Sequence, residues 1–216
     1  MTFIKKSIVP LVFAILMIAL TSCSSKVQHI DFSYKKITDA QLGETVESIE
    51  PRIGTITLSL IGNPISDLTP LQSLNKLSGL YLDFTQVSDL APLESLSNLQ
   101  SLGLNNTNIN DLTPLKELAE LIRVSIQNTS VSDLTPLKSL KKIEFLYLGF
   151  TQVEDLTPLQ SLENLKWLNI EYTKVDDITP LKSLTNLRSL YLKGNNFTED
   201  QIQELKEALP NCTIYL

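Results

Sequence analysis

Few residues in this sequence could carry out chemistry, and little in their spacing would bring them together. The only histidine is His29, and the two cysteines are Cys23 and Cys212. A metal centre needs several imidazole, thiolate or carboxylate ligands, and nucleophilic catalysis needs a base beside a serine or cysteine. The sequence has neither pattern, nor a glycine-rich phosphate loop or a glycine-flanked nucleophile. We therefore expect no enzyme activity, no metal and no cofactor.

Two carboxylates, Asp83 and Glu171, are predicted to share one face of the folded domain and could in principle act as an acid and a base. They lie four repeats apart in the pattern described below, which is roughly 19 Å at about 4.8 Å per strand. That separation exceeds the one that a glycosidase pair uses. A second set of carboxylates forms an evenly spaced row along the chain: Asp67, Asp89, Asp111, Asp133, Asp155 and Asp177.

This aspartate row has two interpretations. It could be a calcium ladder, especially where Glu154 precedes Asp155 and Asp176 precedes Asp177. However, it lacks the clustered oxygen ligands of a calcium loop. An aspartate can instead accept backbone N–H bonds at the start of a turn, and this explains every copy. We interpret the row as structural.

The aspartates belong to a repeat that predicts the elements of the fold. Asp-Leu-Thr-Pro-Leu recurs with small changes, and its prolines keep a constant spacing, at Pro70, Pro92, Pro114, Pro136, Pro158 and Pro180. In the frame that starts at Leu77, positions 1, 4, 6, 11, 14, 17 and 20 are aliphatic. Such a regular period is typical of a solenoid. Positions 3 to 5 predict short stacked parallel strands. Thr-Pro predicts a short helical turn on the opposite side, with threonine as its N-cap and proline at its first position.

The run from Leu80 to Leu93 resembles the 22-residue unit of internalin-like bacterial leucine-rich repeat proteins. The resemblance implies an α/β solenoid, with a short-stranded parallel sheet on the concave face and short helical turns on the convex face. It also implies that the concave face is presented to a protein partner. We place the repeats at residues 55–197.

Both ends of the repeat region show signals for a capping helix. Thr38 and Gln41 form a predicted capping box, as do Thr198 and Gln201. Residues 38–54 are predicted as an N-terminal helical cap, with a helix from about Asp39 to Ile49. Residues 198–216 are predicted as a C-terminal cap helix and a final strand, with the strand at Cys212 to Ile214 and Cys212 as a small core residue. A solenoid needs such ends because its terminal coils would otherwise expose their core.

The N-terminus predicts export and lipid anchoring. Residues 1–22 are predicted as a lipoprotein signal peptide, a leader in which Lys5 and Lys6 precede an apolar run too short to span a bilayer. Leu20-Thr21-Ser22-Cys23 resembles the lipobox of bacterial lipoproteins, which implies cleavage and acylation, for instance with palmitate, at Cys23. Residues 23–37, including His29, are predicted as the lipidated cysteine and a tether, which leaves the folded domain without a histidine.

The resemblance implies a location in the bacterial cell envelope. It implies the outer membrane if the host has two membranes, because Ser24 rather than an aspartate follows Cys23. The formal net charge is −6. Loss of Lys5 and Lys6 with the leader makes it about −8, which argues against nucleic acid as a partner.

Binding residues are sought where the copies differ, at the concave positions 3, 5, 7 and 8. The predicted site is an aromatic cluster bordered by charged residues, and it comprises Phe145, Tyr147, Trp167, Tyr191, Arg123, Glu171 and Lys193. Four more aromatics at these positions complete the candidates: Tyr81, Phe84, Phe150 and Tyr172. Exposed apolar patches with polar rims usually mark interaction sites. Strand propensity and stacking alone could also account for these aromatics.

The leading hypothesis is a monomeric, lipid-anchored module that binds a protein through its concave face. A carbohydrate-binding surface lipoprotein is the alternative, because aromatic side chains also stack on sugar rings. A structural envelope protein without a specific ligand is a third possibility.

Overall fold

The computed structural model describes residues 27–49 and 54–216. Within these residues, nine short strands form one sheet in which each strand pairs in parallel with the next along the chain. The strands are β1 (Val27–Asp31), β2 (Thr55–Ser59), β3 (Leu77–Tyr81), β4 (Ser101–Gly103), β5 (Arg123–Ser125), β6 (Phe145–Tyr147), β7 (Trp167–Asn169), β8 (Ser189–Tyr191) and β9 (Thr213–Tyr215). The helices are α1 (Asp39–Glu47) and α2 (Glu199–Ala208). The predicted leucine-rich repeat solenoid is confirmed.

The core runs the length of the solenoid. In the unit that starts at Leu77, the aliphatic side chains at all seven predicted core positions are at most 1% exposed. The central residues of adjacent strands pair directly, as Leu80 does with Leu102. Each coil therefore buries its leucines against the coils on either side, which is why the repeats fold as an array rather than singly.

The convex side carries one 3₁₀ turn per repeat: Thr69–Ser73, Ala91–Leu93, Thr113–Leu115, Thr135–Leu137, Thr157–Ser161 and Thr179–Ser183. The prediction of threonine as the N-cap is wrong, because the turn begins at the threonine itself and the preceding leucine occupies the cap position. The side-chain cap is supplied by the aspartate row. Asp155 Oδ1, for example, accepts the Thr157 N–H at 2.7 Å.

All six aspartates of the row make this bond, at 2.7 to 2.8 Å. In three of the six, these bonds stabilise the ionised carboxylate. For Asp111, Asp155 and Asp177, hydrogen bonds from the following threonine, first its side chain and then its backbone, lower the pKa. The interpretation of these residues as caps is therefore supported by their geometry.

A second internal row consists of the threonines Thr85, Thr107, Thr129, Thr151 and Thr173. Each hydroxyl donates to the backbone carbonyl three positions earlier in its own coil, at 2.6 to 2.9 Å. Asparagine takes this place in the coils near both ends of the repeat array and reaches further. Asn63 Nδ2 donates to Leu60 O at 2.8 Å and to Phe32 O of the preceding coil at 2.9 Å. The asparagine thereby ties the terminal coil to its neighbour.

Helices cover the convex side of both terminal coils. The helix α1 buries Leu42 and Val46, and α2 buries Ile202 and Leu205. In α2 the capping box is complete: the Gln201 N–H donates to Thr198 Oγ1 at 3.2 Å, and the Thr198 N–H donates to Gln201 Oε1 at 2.9 Å. Cys212, predicted to be a core residue, is only partly buried. Desolvation nevertheless raises the pKa of its thiol to about 11.

The structure corrects the predicted tether. Residues 27–31 of that segment form β1, which pairs with β2 from Val27↔Thr55 to Asp31↔Ser59. Ile30, Phe32 and Ile37 are all buried in the core. The sheet therefore begins one coil earlier than predicted. The prediction of a folded domain without a histidine is also wrong, because His29 lies exposed on β1.

The predicted leader at residues 1–22 and the predicted lipidation site at Cys23 lie outside the described residues. Within residues 27–49 and 54–216, no helix is long and apolar enough to cross a bilayer.

Candidate functional site

The concave face is built from the outward side chains of the nine strands and the residues that follow them. Strand pairing aligns equivalent residues of successive coils, so that Arg123 is the register partner of Phe145, and Phe145 is the register partner of Trp167. Neighbouring strands in a sheet are about 4.8 Å apart. Aromatic rings at one repeat position are therefore brought to stacking distance along the solenoid.

Four aromatic side chains form a continuous series on this face, which we call the aromatic ladder: Tyr147, Trp167, Tyr191 and Tyr215. The ring centroids of Tyr147 and Trp167 are 6.3 Å apart, and those of Trp167 and Tyr191 are 4.9 Å apart. Tyr191 and Tyr215 stack at 4.3 Å with planes 10° apart. Three of the four rings belong to the predicted cluster, and Tyr215 was not predicted.

Phe145 lies beside the ladder and is held by Arg123. The Arg123 guanidinium carbon is 4.2 Å from the centroid of the Phe145 ring, a cation–π contact. Arg123 Nη1 also donates to the Tyr147 hydroxyl at 3.1 Å. The arginine thereby fixes two aromatic side chains of the adjacent strand, and all three residues are half-buried.

The other two charged residues of the prediction are placed differently. Glu171 is half-buried, and its Oε2 accepts a hydrogen bond from Asn169 Nδ2 at 2.9 Å. Lys193 is exposed at the end of the strand that carries Tyr191.

Burial raises the pKa of Tyr191, and the adjacent Tyr215, Glu171 and Tyr147 raise it further. The indole N–H of Trp167 is buried and has no acceptor among the described residues.

The N-terminal half of the concave face carries a different arrangement, in which polar side chains bond from coil to coil. Asp83 Oδ1 accepts the Asn105 backbone N–H at 3.1 Å and also accepts a short hydrogen bond from Asn105 Nδ2. Asn105 Oδ1 in turn accepts from the Gln127 N–H at 2.8 Å and from Ser125 Oγ at 2.6 Å. We call this chain, Asp83 to Asn105 to Ser125 and Gln127, the polar relay.

A third row runs along the edge of the concave face at position 8. Its backbone is left-handed in every coil, with φ between 52° and 81°: Tyr34, Gly62, Phe84, Asn106, Asn128, Phe150, Tyr172 and Gly194. Glycine and asparagine adopt this conformation readily, whereas aromatic residues adopt it at a cost.

Two of the aromatics in this row, Phe150 and Tyr172, stack on each other at 4.7 Å. The Tyr172 ring also lies against Gly194, where a Cβ would be 2.3 Å from it. The third predicted aromatic of the row, Phe84, is 58% exposed and makes no ring contact with any described residue. These aromatics form a row separate from the ladder.

The structure therefore unites some predicted residues and separates others. Phe145, Tyr147, Trp167, Tyr191 and Arg123 form one connected group, whereas Tyr81 lies three strands from Tyr147, beside the polar relay.

Sequence reasoning missed Tyr215, because the final strand was placed one residue too early, at Cys212 to Ile214 rather than Thr213 to Tyr215. The signal was present, since Tyr215 occupies position 5, as Tyr191 does.

The two carboxylates considered as an acid and a base are not brought together on this face. Asp83 and Glu171 follow β3 and β7, four strands apart in the sheet. Within residues 27–49 and 54–216, no three His, Cys, Asp or Glu side chains lie close enough together to hold a metal ion. The face presents an aromatic surface, the ordered side chain of Arg123 and the hydrogen-bonded carboxylate of Asp83.

Comparison with known proteins gives consistent matches to one architecture. The family model described as leucine-rich repeats, two copies, matches residues 163–207. The crystal structure of internalin C2 from Listeria monocytogenes is 33% identical to this chain, with a TM-score of 0.68, and the match covers 74% of this chain and 70% of that one. No curated protein matches the sequence.

Two further solved structures extend the comparison. Internalin F from Listeria monocytogenes is 26% identical with a TM-score of 0.72, covering 82% of this chain and 55% of that one. The leucine-rich repeat protein LIC12759 from Leptospira interrogans is 18% identical with a TM-score of 0.55, covering 74% and 55% respectively, and it shows likeness of fold alone. This chain thus spans just over half the length of these two proteins.

Proposed function

Because this chain belongs to the internalin-type leucine-rich repeat proteins, we propose that it is a binding module, not an enzyme, and that it captures a protein partner on its concave face. Proteins of this type are generally protein-interaction modules. We further propose that the module is monomeric and is held in the bacterial cell envelope by lipid attached to Cys23.

The observation that carries the proposal is the aromatic ladder with its arginine. Tyr147, Trp167 and Tyr191 lie half-buried on an open face rather than in the core. Arg123 is already ordered by Phe145 and Tyr147, so a partner would not have to restrict its side chain on binding. Tryptophan, tyrosine and arginine dominate binding hot spots, and ordering in advance reduces the entropy cost of association.

The ring geometry favours a protein over a carbohydrate. A sugar stacks on an open aromatic face, but the neighbouring Trp167 and Tyr215 occupy the two faces of Tyr191. Arg123 likewise lies over the Phe145 ring. The Tyr191 ring therefore directs its edge outward, and a tyrosine edge offers a hydroxyl and C–H groups, which suit backbone and polar side chains.

Cross-linking in intact cells tests the partner proposal. A photoreactive phenylalanine analogue would be placed at Lys193, beside the ladder, and in a control variant at Gln160 on the convex side. We expect a discrete adduct with one protein from Lys193, which disappears when Trp167→Ala and Tyr147→Ala are added. A matched Tyr34→Ala variant, which removes an exposed aromatic ring from the far end, should leave the adduct in place.

Two results would contradict the proposal. One is an adduct that persists without Trp167 and Tyr147 while circular dichroism shows intact folding. The other is glycan-array binding that depends on the same two residues, which would favour the carbohydrate alternative. If neither a protein nor a glycan is ever captured, the structural envelope protein becomes the better hypothesis.

The lipid anchor is tested separately. The tetrad Leu20-Thr21-Ser22-Cys23, in which a short apolar leader is followed directly by Cys23, supports the proposal, and stable anchoring requires more than one acyl chain. Metabolic labelling with an alkyne fatty acid should mark the protein, and Cys23→Ser should abolish both the label and membrane fractionation. Protease treatment of intact cells would then show which face of the envelope the domain occupies. A protein that remains unlabelled would refute the anchor.

A further inference from the structure

Asp83 is a carboxylate that lies almost completely buried on a face otherwise open to solvent. It follows β3 on the concave side and is only 9% exposed. Its Oδ1 atom accepts two hydrogen bonds from Asn105, one from the backbone N–H and one from Nδ2. This oxygen is fully engaged by the next coil.

The orientation of Asn105 is settled by the polar relay. The backbone N–H of Gln127 can only donate, and it lies 2.8 Å from one terminal atom of the Asn105 amide. That atom must therefore be oxygen, so the other terminal atom is the NH₂ group that faces Asp83. The carboxylate is thus held in one orientation by Asn105, which the following coil holds in turn.

The second carboxylate oxygen, Oδ2, is left without a donor among residues 27–49 and 54–216. It lies over Gly103, 2.6 Å from the point that a Cβ there would occupy, and Tyr81 Cδ1 is 2.9 Å from the same point. Glycine at position 103 therefore lets the carboxylate and the half-buried Tyr81 ring sit side by side on the sheet. Although Asp83 as a whole is 9% exposed, Oδ2 is not among the buried side-chain atoms that lack a partner. A carboxylate oxygen that has no protein donor is open to a charge-assisted hydrogen bond from a cation.

We propose that Asp83 Oδ2, with the Tyr81 ring as an apolar wall, receives a lysine ammonium group of the protein partner. A bidentate arginine fork needs two free carboxylate oxygens, whereas Asp83 offers one. An ammonium is a compact point charge that one oxygen can accept, and its aliphatic stem can pack on a ring. The concave positions of the coils before Arg123 hold no lysine or arginine that would compete.

The use of this site in partner capture rests on the proposed function, but its ligand chemistry can be measured without the partner. The probe is n-butylammonium chloride, titrated into the isotopically labelled full-length chain and followed by amide NMR at constant ionic strength. We expect saturable shifts of the Gly103 and Asn105 amides. We also expect weaker shifts with n-propylguanidinium, because only one oxygen is free.

Two variants locate the binding site. Asp83→Asn keeps an oxygen for Asn105 but replaces Oδ2 with an NH₂ group, and we expect about a tenfold or greater loss of affinity for n-butylammonium. Gly103→Ala keeps the charge but places a methyl group where the carboxylate and ring meet, and should also weaken binding. Gly43→Ala is the matched control, because a Cβ there meets nothing within 4 Å.

Equal binding by the wild type and Asp83→Asn would overturn the proposal, and so would guanidinium binding as tight as ammonium binding. The variant with Trp167→Ala and Tyr147→Ala should retain the ammonium shifts, because it alters the other half of the face. Loss of partner capture in that variant and loss of ammonium binding in Asp83→Asn are thus separate outcomes. Either proposal can fail while the other stands.

Discussion

Tyr191 and Tyr215 lie face to face across the last two strands, with their ring centroids 4.3 Å apart and their planes 10° apart. Each occupies position 5 of its coil, and strand pairing sets them opposite one another. The stack extends the aromatic ladder to the end of the sheet, where Tyr215 is 44% exposed. The ladder therefore has a fourth ring, in the final strand, beyond the three that the sequence predicted.

Replacing Tyr215 with alanine should weaken both the fold and the binding surface. An aromatic pair contributes about 0.5 to 1.5 kcal/mol beyond its buried area, so urea unfolding should show a loss of about 1 kcal/mol. Leu216→Ala is the control, because Leu216 is more exposed, at 68%, and lacks the ring stack. Equal losses in the two variants would mean that the stack adds no stability.

Phe32 distinguishes a folded first coil from a tether. It is 9% exposed, its N–H donates to Ser59 O at 2.8 Å, and its carbonyl accepts from Asn63. Phe32→Ala should therefore lower the free energy of unfolding by about 3 kcal/mol. His29→Ala, on the exposed side of the same segment, should change it by less than about 0.5 kcal/mol. If residues 27–37 were only a linker, the two substitutions would be equally silent.

Phe84 tests whether exposed aromatics at position 8 are kept at a cost to stability. Its backbone is left-handed, with φ at 58°, and its ring is 58% exposed without a described ring partner. Asparagine occupies the same position in the next two coils, so Phe84→Asn should raise stability by up to about 1 kcal/mol. Phe150→Asn should gain less, because it removes the stack with Tyr172. Thermal unfolding of both variants gives the comparison, and a clear loss of stability in Phe84→Asn would contradict it.

Asp155 tests the convex caps and their dependence on pH. At neutral pH, Asp155→Ala should cost about 1 kcal/mol, as loss of a cap does, whereas Asp155→Asn should cost less because its amide oxygen can still accept the Thr157 N–H. Hydrogen bonds from Thr157 lower the pKa of Asp155. The folded state therefore binds the proton less readily than the unfolded state, so this contribution is present above the ordinary aspartate pKa and is lost as pH falls through the lowered one.

Urea midpoints measured from pH 7 down to pH 2 check this sign. The advantage of wild type over Asp155→Asn should shrink on acidification. An advantage that grew instead would show that the carboxylate is not stabilised by Thr157.

Most of the fold could be predicted because each coil repeats the same pattern of aliphatic core positions and capping aspartates. Leu80, its counterparts in other coils and the six aspartates keep the same positions in every repeat, so one assignment serves every copy. The errors fall where the repetition stops. Val27 to Asp31 lacks the Thr-Pro turn that marks the other coils, and Tyr215 follows a helix longer than the usual turn.

The site was predictable only in part, because the repeat frame gives the position of each side chain on the sheet but not its contacts. The frame placed Phe145, Tyr147, Trp167 and Tyr191 on one face, and their neighbourhood followed from strand spacing. It could not show that Arg123 lies over Phe145, or that Phe150 and Tyr172 form a separate stack. Those contacts depend on rotamers and on which side chains are absent, such as the missing Cβ at Gly194.

The sequence by itself determined the solenoid, its core and its convex caps, because burial of a leucine and capping by an aspartate depend only on the coil and its neighbours. The tertiary structure decided which residues join the ends of the sheet and how the concave side chains engage one another. The partnership of Asp83 with Asn105 crosses two coils and requires the empty space above Gly103. Such a relationship arises from the distance between stacked backbones, which no single repeat specifies.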